Sequence, residues 1–254
     1  MRFSRSRGSA YIGSAISTVL LVAGCASGPR LLHKHEYSLS PGQAHHAELA
    51  RALLLPIDST NEKPVRGLEI ANDRITALVA EHLAAQGITV DRVDPHELRG
   101  AMVAAKNAVL QERKSGTSGV VSAEVTFEDV IPHVLEKLEL KADLVVAPNI
   151  VMRAADYQGS RTIAWDGVKR RETVFDLQMS GGGLPAASIQ VSVHSMEGTR
   201  VFLGYGGLEP VFRIDRALEK FVQREDLFQD DRNLREGICI AFYPYFGMEK
   251  RCVR

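Results

Sequence analysis

The chain has 254 residues, with 31 Lys+Arg against 31 Asp+Glu, 45% hydrophobic residues and three cysteines. That length suits one large domain or two small ones. The hydrophobic content excludes disorder as the default, and the balanced charge, with no basic run interleaved with aromatics, excludes a nucleic-acid-binding footprint.

Arg2, Arg5 and Arg7 form a basic start, and residues 8–24 carry no charge, with apolar residues gathered at Ala15-Ile16 and Val19-Leu20-Leu21-Val22-Ala23. This is the layout of a secretory signal. The stretch is shorter than the roughly 20 apolar residues of a spanning helix and is diluted by Gly and Ser. It ends in Leu21-Val22-Ala23-Gly24-Cys25, which resembles the lipobox of bacterial lipoproteins. Small side chains at the cut suit a peptidase, and the thiol is the good nucleophile there for attaching a diacylglycerol. The resemblance implies a signal peptide over 1–24 and a mature chain that begins at an acylated Cys25. Two or three acyl chains hold a bilayer stably where one does not. Ala26 stands where Asp would favour inner-membrane retention, so the same resemblance implies the periplasmic face of the outer membrane.

Residues 25–48 read as a flexible tether: Ser27-Gly28-Pro29 and Ser38-Leu39-Ser40-Pro41-Gly42 form loops, with no sustained apolar period. His33, His35, His45 and His46 fall here and are the candidates for a surface zinc or copper site. No cysteine or paired acid completes a ligand set, so a solvated tether with no metal and no cofactor is expected.

A folded domain over 49–254 follows. Ala52-Leu53-Leu54-Leu55-Pro56-Ile57 is a continuous apolar run, the pattern of a strand buried on both faces. Ala71, Ile75, Leu78, Val79, His82 and Leu83 mark one face of an amphipathic helix, with His82 packed on that face and Gly87 as the stop. Ile88, Val90 and Val93 continue as a strand, giving the strand–helix–strand unit that makes parallel neighbours. Asp94-Pro95-His96-Glu97 starts a helix that runs towards Gln111, and residues 115–119 break it. Phe127, Val130, Ile131, Val134, Leu135 and Leu138 recur at helical spacing around Pro132, which predicts a kink or a delayed start. A strand is expected from Ala142 to Met152 and another over 161–176, with a loop over 178–185. Ile189, Val191 and Val193 alternate, and Glu197-Gly198 turns into a strand at 201–205. Leu234, Ile238, Ala241, Phe242 and Tyr245 suggest a closing helix. The sum is a single α/β domain, a mixed sheet flanked by helices.

With Cys25 taken by lipid, Cys239 and Cys252 remain as an even pair in an oxidising compartment. A disulfide between them would close a short loop and contribute about 3 kcal/mol on the loop-entropy model. The alternative is that Cys239 is a core residue of the last helix.

No Gly-x-Ser-x-Gly elbow, Walker loop, Rossmann fingerprint or His-Glu-x-x-His helix is present. Gly181-Gly182-Gly183 lacks the Lys-Ser/Thr of a phosphate loop. The acids Glu225, Asp226, Asp230 and Asp231 fit a solvated face or a helix N-terminus. The order of elements after the lipobox, with "ADLVVAPNIVM" and then "IQVSVHSMEGTRVFLGYGG", resembles the periplasmic lipoproteins that share the TolB amino-terminal type of α/β domain. That superfamily includes the curli-export lipoprotein CsgG and the penicillin-binding-protein activator LpoB. In that group an Ala-Asp-apolar strand and a later strand-x-x-Gly-strand hairpin recur; here they are Ala142-Asp143-Leu144 and residues 193–202. The resemblance implies a non-enzymatic adaptor or assembly factor that works through an envelope protein partner, and it is compatible with a homo-oligomer. An export pore of the curli type is the second reading, although residues 161–176 are too charged for a transmembrane strand. An envelope hydrolase or metal-handling lipoprotein is the third.

Overall fold

The computed structural model describes residues 34–40, 51–57, 68–115, 124–157, 162–171, 183–215 and 220–246. Its organising strand is β2 (Arg51–Leu54), hydrogen-bonded in parallel to β3 (Thr89–Arg92) on one side and to β4 (Leu144–Tyr157) on the other. Successive side chains of a strand point to opposite faces. Ala52 and Leu54 accordingly join Ile75, Val79 and Leu83 of α1 (Leu68–Ala85), while Leu53 and Leu55 join Ile131 and Leu135 of α3 (Phe127–Lys137). The apolar run is buried on both faces, as its sequence predicts.

β3 and β4 flank β2, so the crossover from β2 through α1 to β3 and the one from β3 back to β4 run in opposite directions along the sheet. Right-handed crossovers then place α1 on one face and α2 (Pro95–Ser115) with α3 on the other. Asp94 caps α2, its Oδ1 accepting from the N–H groups of His96 and Glu97 at 2.8 and 3.1 Å. The helix continues to Ser115, past the expected Gln111. Pro132 does not delay α3, because Thr126 and Asp129 form a capping box that fixes the start at Phe127.

The second half of the sheet is antiparallel. β4 pairs with β7 (Leu184–His194) from Val145↔His194 to Ala155↔Leu184, β7 pairs with β8 (Arg200–Pro210), and β8 pairs with β1 (Tyr37–Leu39). The full order is β1-β8-β7-β4-β2-β3. At the far end of β4, β5 (Thr162–Trp165) and β6 (Val168–Arg171) form a hairpin, and β9 (Phe212–Asp215) pairs with β10 (Lys220–Gln223) in a separate ribbon. α4 (Asp231–Ala241), capped by Asp230, closes against β8. It lies so close that a Cβ on Gly206 would meet the carbonyl of Gly237, and one on Gly237 would meet Gly207. Helix and strand backbones touch there because neither residue has a side chain. The mixed sheet with helices on both faces is the expected single α/β domain.

Four expectations change. The strand expected over 161–176 is a two-strand hairpin within its described part, turning at Asp166-Gly167 with φ of 34° and 82°. That is the left-handed pair a two-residue hairpin loop requires, and residues 172–176 lie outside the described residues. The segment expected as a flexible tether contributes β1 to the sheet. It is held by Tyr205 N–H donating to Glu36 O, Ser40 N–H donating to Val201 O and Gly167 N–H donating to Lys34 O, at 3.0–3.2 Å. Leu184 and Pro185 belong to β7 and not to a loop, and β4 runs past Met152 to Tyr157.

A cleft on one face of the sheet

The two faces of the sheet differ. Opposite α1 and α4, Leu144, Val146, Ile150, Ile189, Val191 and Val193 make one continuous apolar core. His82 sits in it, stacked on Phe242 at 5.1 Å, and burial pushes its imidazole down to about 4. On the opposite face α2 and α3 cover Leu53, Leu55 and Val145. Beside them opens a cleft of about 670 Å³, within the usual size of a ligand site.

Its position follows from the topology. Leu55, Pro56 and Ile57 leave the carboxyl end of β2, Pro95, Leu98, Arg99 and Met102 come from α2, and Phe127 and Glu128 begin α3. This is the crevice where helices depart to opposite faces of a sheet, the usual ligand position in open α/β folds. The floor is Asn149 of β4 with Gln190, Ser192 and His194 of β7. The walls are largely apolar, and Arg99 and Arg200 stand at the rim, Arg200 paired with Glu128 at 3.3 Å.

Ser192 and His194 lie two apart on β7 and therefore on one face, with His194 Nε2 3.0 Å from Ser192 Oγ and Nδ1 3.4 Å from Gly198 O. His194 is 1% exposed and meets Phe127 edge-on; burial holds its imidazole below the ordinary value. A serine beside a neutral histidine is the start of an acyl-transfer site, but that chemistry also needs donors aimed at an oxyanion. Ser192 lies between β4 and β8, so its N–H belongs to the ladder. The first N–H groups of α2 are engaged by Asp94, and that of Asp129 in α3 by Thr126. Ser192 Oγ also donates to Ala147 O at 3.3 Å. The Ser192–His194 bond lies along β7 and the Ser192–Ala147 bond ties that strand to β4 at the floor of the cleft.

Further along the same face, Asp166, 5% exposed, accepts from Ser188 Oγ at 2.6 Å and from Arg153 at 3.2 and 3.3 Å. Arg153 also donates to Glu36 at 2.7 Å and lies over the Tyr205 ring. That hydrogen bond pulls the Glu36 carboxyl below its ordinary value. This network fastens the β1 segment to β4, β7 and the β5–β6 turn.

Of the candidate site residues that are described, His35, Gly183, Cys239 and the acids from Glu225 to Asp231, none lines the cleft. Cys25, Cys252, His33, His45 and His46 lie outside the described residues, as do Gly181 and Gly182. His35 stacks on Tyr37 and meets Tyr243 at a tilt, and no group of three or more His, Cys, Asp or Glu suited to a metal occurs among the described residues. Cys239 on α4 is disulfide-bonded, with both other cysteines outside the described residues. Asp230 caps α4, Asp231 pairs with Arg74 at 2.7 Å and Asp226 with Arg224 at 3.0 Å, so these acids serve a helix start and its surroundings. The signal for the cleft is the polar half of an alternation: Ile189, Val191 and Val193 mark the core face of β7, and Gln190, Ser192 and His194 between them mark the cleft.

No family model matches the chain, and no curated protein does. Among solved structures it is similar to the PelC dodecamer of Paraburkholderia phytofirmans. A point variant of that dodecamer is 12% identical, with 85% of this chain and 100% of that one covered at a TM-score of 0.36; a second crystal form gives 12%, 84%, 99% and 0.35. A homologue of neuraminyllactose-binding hemagglutinin from Helicobacter pylori is 10% identical over 80% of this chain and 86% of that one, at 0.31. Likeness of this degree assigns nothing to the chain.

Proposed function

We propose that the chain is a lipoprotein held by Cys25 at the periplasmic face of the outer membrane, where it acts as a non-enzymatic adaptor or assembly factor that recognises an envelope partner through the cleft. The carrying observation is the cleft itself: a large, mostly apolar cavity with an amide and hydroxyl floor, whose serine–histidine pair is held in the strand framework, Ser192 Oγ against Ala147 O and His194 Nδ1 against Gly198 O. Such a lining suits binding of a partner segment better than turnover. The placement of β1 supports a second feature. Lys34, where the described structure begins, stands only nine positions beyond Cys25. Extended, that segment reaches roughly 30 Å, so the domain works close to its membrane.

The test has two arms. Metabolic palmitate labelling should mark the wild-type chain and not Cys25→Ser; an unlabelled wild type removes the anchor. A photo-crosslinking residue at Met102, on the cleft wall, should capture one defined envelope protein in living cells, whereas the same residue at the exposed Val103 should not. Equal capture at both positions would sink the cleft as the recognition site.

A further inference from the structure

At the β1 edge of the sheet, backbone and side chains are open at the same two residues. Glu36 O and Ser40 N–H bond to β8, and Ser38 lies opposite Leu203. Residues 36, 38 and 40 therefore turn their backbone groups inward, and alternation turns the N–H and C=O of Tyr37 and Leu39 outward. No strand among the described residues pairs with that side. Tyr37 and Leu39 are also 51% and 36% exposed and, two apart, share one face. An apolar edge of this kind is a template for strand pairing. The other edge, β3, is of the protected kind, with Asp91 paired to Arg51 at 2.7 Å and Arg92 exposed.

We propose that a second copy of this chain covers the edge, β1 pairing antiparallel with its twin about a two-fold axis at Ser38. The sequence is self-complementary in that register. Tyr37 faces Leu39 of the twin as a hydrogen-bonded pair, and Leu39 faces the twin's Tyr37. Four backbone bonds form, and two aromatic–aliphatic cross-strand contacts cover the exposed side chains. Ser38 meets the twin's Ser38 on the other face. A lipid surface would cover the side chains but would offer no matching row of donors and acceptors. The proposal rests on the lipid-anchored reading in one respect. Copies fixed in one leaflet share an orientation, and an axis along the membrane normal keeps both anchors on the same side. Cys25 lies twelve residues from Tyr37, a reach of roughly 40 Å, so membrane confinement raises the local concentration of an edge too short to dimerise strongly when dilute.

Ser38→Cys in the full-length chain tests this. At a non-hydrogen-bonded antiparallel pair the Cα atoms approach to about 4.5 Å, inside the disulfide range. With copper-phenanthroline as the added oxidant taking up the two electrons, membranes should yield a reducible dimer of twice the chain mass. Its yield should be about tenfold above that of Ser40→Cys, whose backbone faces β8 and whose counterpart in this register is Glu36. Wild type is the blank for any dimer through Cys25. Adding Tyr37→Lys and Leu39→Lys to Ser38→Cys should remove the dimer. A monomer, equal yields from Ser38→Cys and Ser40→Cys, or an adduct of another mass (a strand from a different protein) would overturn the pairing. Palmitate labelling of the same samples separates the two readings. A dimer of unlabelled chain retires the anchor and keeps the pairing, and labelled chain without a dimer does the reverse.

Discussion

Strand β7 carries different chemistry on its two faces. Ile189, Val191 and Val193 are fully buried against the α1–α4 side, with Ala52, Leu54, Val146 and Phe202 in the same cluster. Gln190, Ser192 and His194, interleaved with them, floor the cleft. One strand thus supplies cohesion on one face and the polar floor of a cleft on the other. The covered face can change little without loss of stability, whereas on the cleft face the half-buried Gln190 can change at small cost to the fold.

The largest expected effect breaks the covered face. Leu54→Ala removes three buried carbons between β2 and α1, and its neighbours Ile75, Val79 and Leu83 are fixed by their own packing. It should cost about 2–5 kcal/mol, read as a fall in the urea midpoint at unchanged slope. A loss below about 1 kcal/mol would mean that this core relaxes freely, and the contrast between faces would fail.

The next effect is a pH dependence lodged in the same core. The folded His82 imidazole takes a proton only near about 4, while the unfolded chain takes one near 6.5. The unfolded state therefore binds more protons as pH falls through that window. Stability present above pH 6.5 is lost progressively towards pH 4, by roughly 3 kcal/mol in all. His82→Phe keeps a ring against Phe242 and should flatten that part of the profile. Denaturant midpoints at several pH values decide it, and identical slopes for variant and wild type would rule His82 out. His35 and His194, both also depressed by burial, work in the same direction.

Where β8 meets the start of α4 the sign reverses. Glu209, 1% exposed, accepts from Phe228 N–H at 2.8 Å, and Phe228 holds a φ of 61°. Burial pushes this carboxyl up. The folded state therefore takes the proton first, and stability rises as pH falls from the raised value to the ordinary one. Glu209→Gln keeps an oxygen for Phe228 and should abolish that rise. Glu209→Ala leaves the N–H unpaired and should cost about 1–3 kcal/mol at neutral pH. Equal stability of the two variants would show that the bond to Phe228 contributes nothing.

Much of the covered face is legible in the sequence, because burial writes itself as periodicity. The run from Ala52 to Ile57, the helical stripe from Ala71 to Leu83 and the Asp94 cap each carry their own local signal, and each stands where that signal puts it. What the sequence hides depends on distant partners. β1 exists because β8 offers an open ladder at Phe202, Leu203 and Gly204, far along the chain, and three exposed residues have no period to detect. The β5–β6 hairpin is signalled by Asp166-Gly167 but hidden in a stretch charged enough to read as one strand. The cleft is harder still. Its floor comes from β4 and β7 and its walls from α2 and α3, and of these only α3 and β4 are joined by a short connection, residues 138–143.

The smallest stability effect is the sharpest test of the contrast. Gln190 lies on β7 between Ile189 and Val191, yet its side chain enters the cleft, where it is half-buried. Gln190→Ala should therefore leave stability within about 0.5 kcal/mol of wild type, although substitutions one residue to either side would cost several times more. Arg99→Ala, at the exposed rim, should be equally silent in denaturation. If the cleft is where a partner binds, both variants should nevertheless weaken capture by a photo-crosslinker at Met102, with Gln190→Ala acting through the floor and Arg99→Ala through the rim. Undiminished capture in stable variants would leave β7 with a cohesive face and a merely solvated one, and recognition would have to be sought at the sheet's edges.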